Sequence, residues 1–282
     1  MKISEAIQWG KSELDKAGVE RAMIDARLLL AHALQMASEE ILMNDSRELL
    51  QSEQESFRSL IQRRVDREPY AYIVGEKEFF GLKLSVNSDV LIPRPETESL
   101  VEKFLEEIKS QKIESGRIID LGTGSGAIAL ALTSQLSENF EIIGIDVSVR
   151  ALECAEANKK KLGFKNIRFE HLDYLNQTDR LAQLSIHSEK PVLWIANPPY
   201  IPRIVFSQLE PEIRDFEPRE ALDGGDEGLD FYISILKTYE KISPNPRILA
   251  FETMGPWQIE KIRRLIGERK SIFTAGPLLF VK

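Results

Sequence analysis

Apolar residues recur at helical spacing through the first 67 positions of the chain. Ile3, Ile7 and Leu14 mark one helix, with Ser4 placed to cap its first turn. Leu28, Leu29, Ala31 and Leu34 line one side of a second helix, Asp25 to Met36. Phe57, Leu60, Ile61 and Arg64 repeat the pattern between Glu53 and Val65. A bundle this small has little core of its own, so it is expected to pack against the rest of the chain or a partner. From Glu68 the period changes. Tyr70, Tyr72, Ile73, Gly75, Phe79, Phe80, Gly81, Leu82, Leu84 and Val86 alternate and bend as a β-hairpin does. A turn stiffened by Pro93 and Pro95 follows, leading to a helix predicted over Ser99 to Ile108.

The rest alternates short apolar runs with helical patterns, as an α/β sheet with right-handed crossovers does. Strands are predicted at Arg117–Leu121, Glu141–Asp146, Asn166–Glu170, Val192–Ala196 and Arg247–Glu252. Helices fall at Ala127–Gln135, Ser148–Leu162, Asp230–Ile242 and Trp257–Ile266, and Ser271–Val281 reads as a closing hairpin. Ala182–Lys190 reads as a polar surface loop, and Ile201–Leu229 as a long, turn-rich, structured lid. The expected division is a helical domain 1–67, a β-hairpin linker 68–98 and an α/β domain 99–282.

Several predicted strands deliver polar groups to the sheet edge where ligands of open α/β sheets bind. The first runs into Gly122-Thr123-Gly124-Ser125-Gly126 at a helix start, where glycine lets a backbone approach a ligand closely. Asp120 precedes it, placed to accept from a ligand ammonium or to orient the loop. Asp146 ends the second strand about twenty residues on, a position suited both to ribose hydroxyls and to capping the next helix. Asp173 and Tyr174 follow the third strand, as an adenine-binding pair or as a turn acid beside a core aromatic. The fourth strand ends in Asn197-Pro198-Pro199-Tyr200. The Asn197 side-chain oxygen and the Pro198 carbonyl are two acceptors matched to a planar NH2 group, with Tyr200 as a stacking face. Such bonds strengthen as charge develops on an attacking nitrogen. The plainer alternative is a strand closed by a proline turn with a capping Asn. Arg94 and Glu96 lie on the stiff turn, facing a ligand or, for Glu96 with Glu98, favouring a helix N-terminus.

Composition narrows the partners. The 282 residues carry a net charge of −8, which gives no footprint for general nucleic-acid binding. A single cysteine, Cys154, excludes an internal disulfide framework and suits a reducing compartment as a small buried filler. His32 is expected in the core or at its boundary, and His171 and His187 make no metal-ligand spacing with it, so no metal is expected. The sequence shows neither a secretory leader nor a membrane span, and a cytoplasmic protein is expected.

Taken together, Leu91-Ile92-Pro93-Arg94-Pro95-Glu96-Thr97-Glu98, Asp120-Leu121-Gly122-Thr123-Gly124-Ser125-Gly126-Ala127-Ile128-Ala129 and Asn197-Pro198-Pro199-Tyr200-Ile201 resemble the peptide chain release factor glutamine methyltransferases, the HemK/PrmC family. Glu217-Pro218 through Asp226-Glu227-Gly228-Leu229 does so as well, and the resemblance runs through nearly the whole chain. It implies a class I, Rossmann-like methyltransferase sheet with a terminal antiparallel strand and a small N-terminal helical domain that docks the protein substrate. It implies S-adenosylmethionine as methyl donor, with Gly122 to Gly126 beside its methionine part, Asp146 at the ribose, Asp173 and Tyr174 at the adenine, and Asn197 lining the same site. Asn197, Pro198, Pro199 and Tyr200 would hold the glutamine of the release factor's Gly-Gly-Gln loop for methylation at N5, with Arg94 and Glu96 near it. Tyr174 stands where many relatives carry Trp, and the end of the chain lacks the basic ending of the family. Two rival readings are an adenine-N6 nucleic-acid methyltransferase, whose exocyclic amine fits the same acceptors, and a non-catalytic binding protein on the same fold.

Overall fold

The computed structural model describes residues 1–186, 190–241, 248–267 and 272–281. His187, Ile242, Arg247, Ser271 and Lys282 lie outside the described residues. The chain divides into two units, Met1–Glu76 with Glu210–Phe216, and Lys77–Leu209 with Glu217–Lys282.

The first unit is helical: α1 (Ile3–Lys16), α2 (Ala22–Leu34), α3 (Ser38–Met43), α4 (Gln51–Val65) and α5 (Tyr70–Val74). The apolar stripes meet in a core that includes Ile3, Leu14, Leu29, Leu30, Phe57 and Ile61. Here α5 replaces the expected start of the hairpin. Tyr70, Ile73 and Val74 suit a helical turn as well as a strand, Pro69 stands at its N-cap, and Gly75 closes it in the left-handed conformation. His32 is exposed on the last turn of α2, contrary to expectation, because the buried face of that helix is carried by Ala22, Asp25, Ala26, Leu29 and Leu30.

A charged cluster is buried within this unit. Arg64 Nε donates to Asp25 Oδ2 at 2.8 Å and its Nη1 to Glu212 Oε1 at 2.9 Å, while Arg67 Nη2 reaches Glu212 Oε2 at 2.6 Å. Burial alone would raise the Glu212 carboxyl, but Arg67 and Arg64 outweigh it and hold that group below its ordinary range. The short helix Pro211–Phe216 is thus part of the helical unit's own polar core.

The second unit opens with the hairpin β1 (Glu76–Phe79) and β2 (Leu82–Ser85), then α6 (Pro95–Ser110). The order continues β3 (Gly116–Leu121), α7 (Ala127–Gln135), β4 (Phe140–Asp146), α8 (Val149–Leu162), β5 (Ile167–His171), α9 (Thr178–Leu184) and β6 (Val192–Ala196). After α10 (Pro211–Phe216, of the first unit) come α11 (Asp230–Tyr239), β7 (Leu249–Glu252), α12 (Pro256–Ile266), β8 (Ile272–Ala275) and β9 (Leu278–Val281). The sheet order is β5-β4-β3-β6-β7-β9-β8; β9 runs antiparallel to β7 and β8, and the other pairings are parallel. Strand residues alternate between two apolar layers, Ile119, Leu121, Ile143 and Trp194 on one face, Ile118, Ile142, Leu193 and Ile195 on the other. Burial of both faces explains why these strands are apolar throughout.

Register aligns the strand ends. Leu121 pairs with Ile145 and with Ala196, and Ala196 pairs with Phe251. The residues one step beyond this row are Gly122, Asp146, Asn197 and Glu252. Strand order reverses between β3 and β6, so the row spans the point where such sheets open into a crevice.

Two further expectations need correction. The helix after the proline turn starts at Pro95, four residues early, because proline at the first helical position loses no hydrogen bond. Glu96, Thr97 and Glu98 therefore belong to its first turn. Ala182 to Leu184 are helical within α9, whose Leu181 is buried. The long segment after β6 is structured, as expected, by 3₁₀ turns at Arg203–Gln208 and Arg219–Ala221 beside α10.

Removing Arg64 leaves Asp25 buried without its guanidinium and Glu212 with Arg67 alone. Arg64→Ala is expected to destabilise the protein by about 3–5 kcal/mol, read as a lower urea midpoint. Because the Glu212 carboxyl is depressed, its share of stability is present above its unfolded pKa and fades as pH falls through its folded one. The deficit should therefore narrow in acid.

Candidate active site

The aligned strand ends open into a cavity of about 1020 Å³ whose lining includes Gly122, Gly124, Asp146, Asp173, Tyr174, Asn197 and Pro199. After β3 the chain turns sharply: the Gly122 and Thr123 amides both donate to the Ile145 carbonyl at 2.9 Å. Gly124, at φ +56°, then donates its amide to Asp146 Oδ2 at 2.8 Å. Asp146 Oδ1 accepts from the Ser148 amide at 2.9 Å, and Ser148 in turn caps α8 through the Ala151 amide at 3.2 Å. Asp146 is thus tied to the glycine loop while lining the cavity.

Acids dominate this end of the sheet. Asp120 is fully buried; its Oδ2 accepts the Thr123 hydroxyl at 2.6 Å, whereas Oδ1 closes no hydrogen bond of ordinary geometry. Burial, opposed by Thr123 and the Ala129 amide, pushes the Asp120 carboxyl up to about 7. Burial likewise raises Asp146, against the Ser148, Gly124 and Val147 amides. Asp89, Asp146, Asp173, Glu220, Asp223 and Asp230 line the cavity against Arg150, Arg203 and Arg219. Carboxylates in a partly enclosed cleft favour a cationic ligand over a polyanion.

On the β6 side, Asn197 Nδ2 donates to Thr97 Oγ1 at 3.0 Å, and the Thr97 hydroxyl donates to Glu252 Oε2 at 2.7 Å. Tyr200 Oη donates to Glu252 Oε1 at 3.3 Å, and Tyr232 Oη to the Glu252 carbonyl at 2.7 Å. Burial raises the Glu252 carboxyl, with Thr97 and Tyr200 opposing. Burial also lifts the Tyr200 phenol well above its ordinary range. Behind them the buried Gln258 amide donates to the Tyr200 carbonyl at 3.2 Å and the Gly228 carbonyl at 2.7 Å. A side chain at Gly228 would place its Cβ 2.3 Å from the Tyr200 oxygen, so glycine is required where the loop crosses the Asn-Pro-Pro-Tyr turn.

Not every expected residue faces the cavity. Thr123, Ser125, Gly126, Pro198 and Tyr200 are not among its lining residues. Arg94 pairs with the buried Glu217 carboxylate, which also accepts the Ile92 amide at 3.2 Å, and Glu96 is exposed on α6. Asp173 accepts the Leu175 and Asn176 amides at 3.0 and 3.2 Å, and Tyr174 packs edge-on to Phe231 with ring centroids 5.8 Å apart. Thr97, Glu252 and Gln258 were missed. Glu252 carried a usable signal, an acid at a strand's carboxyl end like Asp146; Thr97 was hidden by the late helix start. Among the described residues no group of three or more His, Cys, Asp or Glu is placed to hold a metal ion.

Residues 5–75 match the family model described as the PrmC N-terminal domain, and residues 113–213 one described as a methyltransferase domain. A release factor glutamine methyltransferase of Bacillus cereus is 34% identical over 267 residues, covering 94% of this chain and 90% of its own. Those of Thermodesulfovibrio yellowstonii and Buchnera aphidicola are 38% and 39% identical, covering 86% and 82% of this chain and 82% and 78% of their own. This chain belongs to the release factor glutamine methyltransferase family. The resemblance drawn from its motifs therefore holds along its length, and the sheet is that of a methyltransferase with a terminal antiparallel strand.

The raised Asp120 carboxyl has a consequence for stability. A group that holds its proton to about pH 7 folded, but releases it near its ordinary 3.8 unfolded, costs stability increasingly as pH rises between those values. Asp120→Asn should accordingly raise the melting temperature of the ligand-free protein more at pH 8 than at pH 5, the gap being on the order of 2–4 °C by scanning calorimetry.

Proposed function

We infer that this enzyme transfers a methyl group from S-adenosylmethionine to the N5 amide nitrogen of a glutamine in a peptide chain release factor, within its Gly-Gly-Gln motif. The observation that carries the reading is Asn197, held at the cavity wall with its NH2 turned into the protein, which leaves its oxygen as an acceptor toward the cleft.

The residues present fit the donor. S-adenosylmethionine carries a sulfonium and an ammonium, and the cleft is lined by acids, among them Asp146 and Asp173, with the buried Asp120 just before the glycine loop. Gly122 to Gly126 would flank its methionine part, Asp146 its ribose, and Asp173 and Tyr174 its adenine. When bound, it supplies an electrophilic methyl group with a built-in neutral leaving group. The chain's own task is alignment, and holding two reactants in register can contribute ~7–11 kcal/mol. Asn197 Oδ1 and the Pro198 carbonyl accept the two hydrogens of the glutamine NH2, and Pro199 and Tyr200 fix the turn that presents them. These bonds tighten as the nitrogen gains positive charge, so they act on the transition state more than on the bound ground state. No base need act before attack, because the amide nitrogen becomes strongly acidic only as it is methylated.

The helical unit is assigned to docking the protein substrate, with Arg94 and Glu96 bordering its approach. The net acidic lining argues against the adenine-N6 reading, since a phosphate backbone seeks lysine and arginine. No helix among the described residues is long and apolar enough to cross a membrane; the cytoplasm is proposed as the compartment where the enzyme meets its release factor.

With purified release factor, Asn197→Ala is expected to lower kcat by ~10²–10³, more than it weakens S-adenosylmethionine affinity. Mass spectrometry of the glutamine-containing peptide checks this; unchanged turnover would remove Asn197 from its role. Asp146→Ala should instead weaken donor binding by calorimetry, ~10-fold or more. Transfer to DNA or RNA, with none to release factor, would replace the substrate assignment.

A further inference from the structure

An asparagine amide has two ends of nearly equal shape, one accepting and one donating, and something must choose which end meets the cleft. In this protein the choice is made by a neighbour that does not line the cavity. The Thr97 hydroxyl has a single hydrogen, and it goes to Glu252 Oε2 at 2.7 Å. What the Thr97 oxygen presents to Asn197 is therefore lone pairs, and only the NH2 end can sit opposite, at 3.0 Å. Glu252 also accepts the Tyr200 hydroxyl on its other oxygen, at 3.3 Å. Both oxygens serving as acceptors is the pattern a carboxylate makes, since the anion has no hydrogen of its own to donate.

We propose that ionised Glu252 acts as a positioning residue that fixes, through Thr97, the acceptor orientation of the Asn197 amide, and that protonation of Glu252 reverses it. This rests on the assignment of Asn197 as acceptor for the substrate carboxamide. The step balances simply: a proton from solvent adds to Oε2, and no other covalent bond changes. The acid then donates to Thr97 Oγ1, the Thr97 hydrogen turns toward Asn197, and the amide rotates to place its oxygen there. Its NH2 then meets the NH2 of the substrate, donor against donor. The charged groups that act on Glu252 are Arg94, which favours the anion, and Glu96, which opposes it; Tyr200 and Tyr232 face it from the β6 turn and α11. Burial opposes the anion most, so the switch falls above the ordinary glutamate range.

The test has two readouts across pH 5 to 9: the side-chain NH2 signals of 15N-labelled Asn197 in the free protein, and kcat/KM with release factor. In the wild type the Asn197 signals should shift along one titration that also describes the acid limb of kcat/KM. In Glu252→Gln the titration and the limb should both vanish, with activity ~10–100-fold lower at pH 8 and donor affinity within about twofold by calorimetry. Thr97→Val should lose activity similarly, and Thr97→Ser, which keeps the hydroxyl, should recover it. Asn197 signals that ignore pH in the wild type, or a Glu252→Gln enzyme with the wild-type limb, would overturn the proposal. A titrating Asn197 in a protein that methylates no release factor would uphold it and sink the substrate assignment instead.

Discussion

The hydrogen-bonded register of four parallel strands is the constraint on which this site depends. Leu121, Ile145, Ala196 and Phe251 are level with one another and buried in one apolar layer. A slip of one residue would turn each of them to the opposite face, which the packing on both sides of the sheet forbids. Because that row cannot move, the next residue of each strand emerges at one height. Gly122 begins the tight loop, Asp146 fastens it, Asn197 borders the cavity, and Glu252 lies behind Thr97. The chemistry is assembled by backbone pairing, before any side chain in the cleft has made a contact of its own.

That arrangement places acids where water is scarce, and the structure answers each in a different way. Asp146 accepts backbone amides from the loop and from the start of α8. Glu252 accepts two hydroxyls, Glu217 takes Arg94 and the Ile92 amide, and Asp120 keeps one oxygen unmatched. Partial compensation of this kind is characteristic of sites whose remaining partner is a ligand. The six carboxylates that line the cleft outnumber its three arginines, which favours positive charge there.

Much of this was legible in the sequence because it rests on short-range rules. Breakers bounded the strands, glycines marked the loop, and Asp146 and Asn197 stood directly after apolar runs. The omissions share a cause. Pro95 reads as part of a turn in sequence, yet proline is at home at a helix start, and the misplaced boundary concealed Thr97 in the first turn of α6. Glu252 and Gln258 act through partners 155 and 58 residues distant, Thr97 and Tyr200, and no local pattern encodes such a pairing. Tyr70 to Val74 are few enough to satisfy either period, and the capping residues decided for helix. Arg94 drew attention as a charge on a rigid loop; its carboxylate partner, Glu217, lies 123 residues further along the chain.

The helical unit's recruitment of Glu210–Phe216 bears on how such a protein can be rebuilt. Three peptide junctions, not one, separate the two units along the chain. Grafting the first 76 residues from a relative would import new partners for Glu212 while leaving the old helix behind, so the exchangeable cassette is discontinuous. Chimeras that respect this interrupted boundary would keep matched charges around residue 64, whereas a single cut would leave buried charges facing partners they were not matched to.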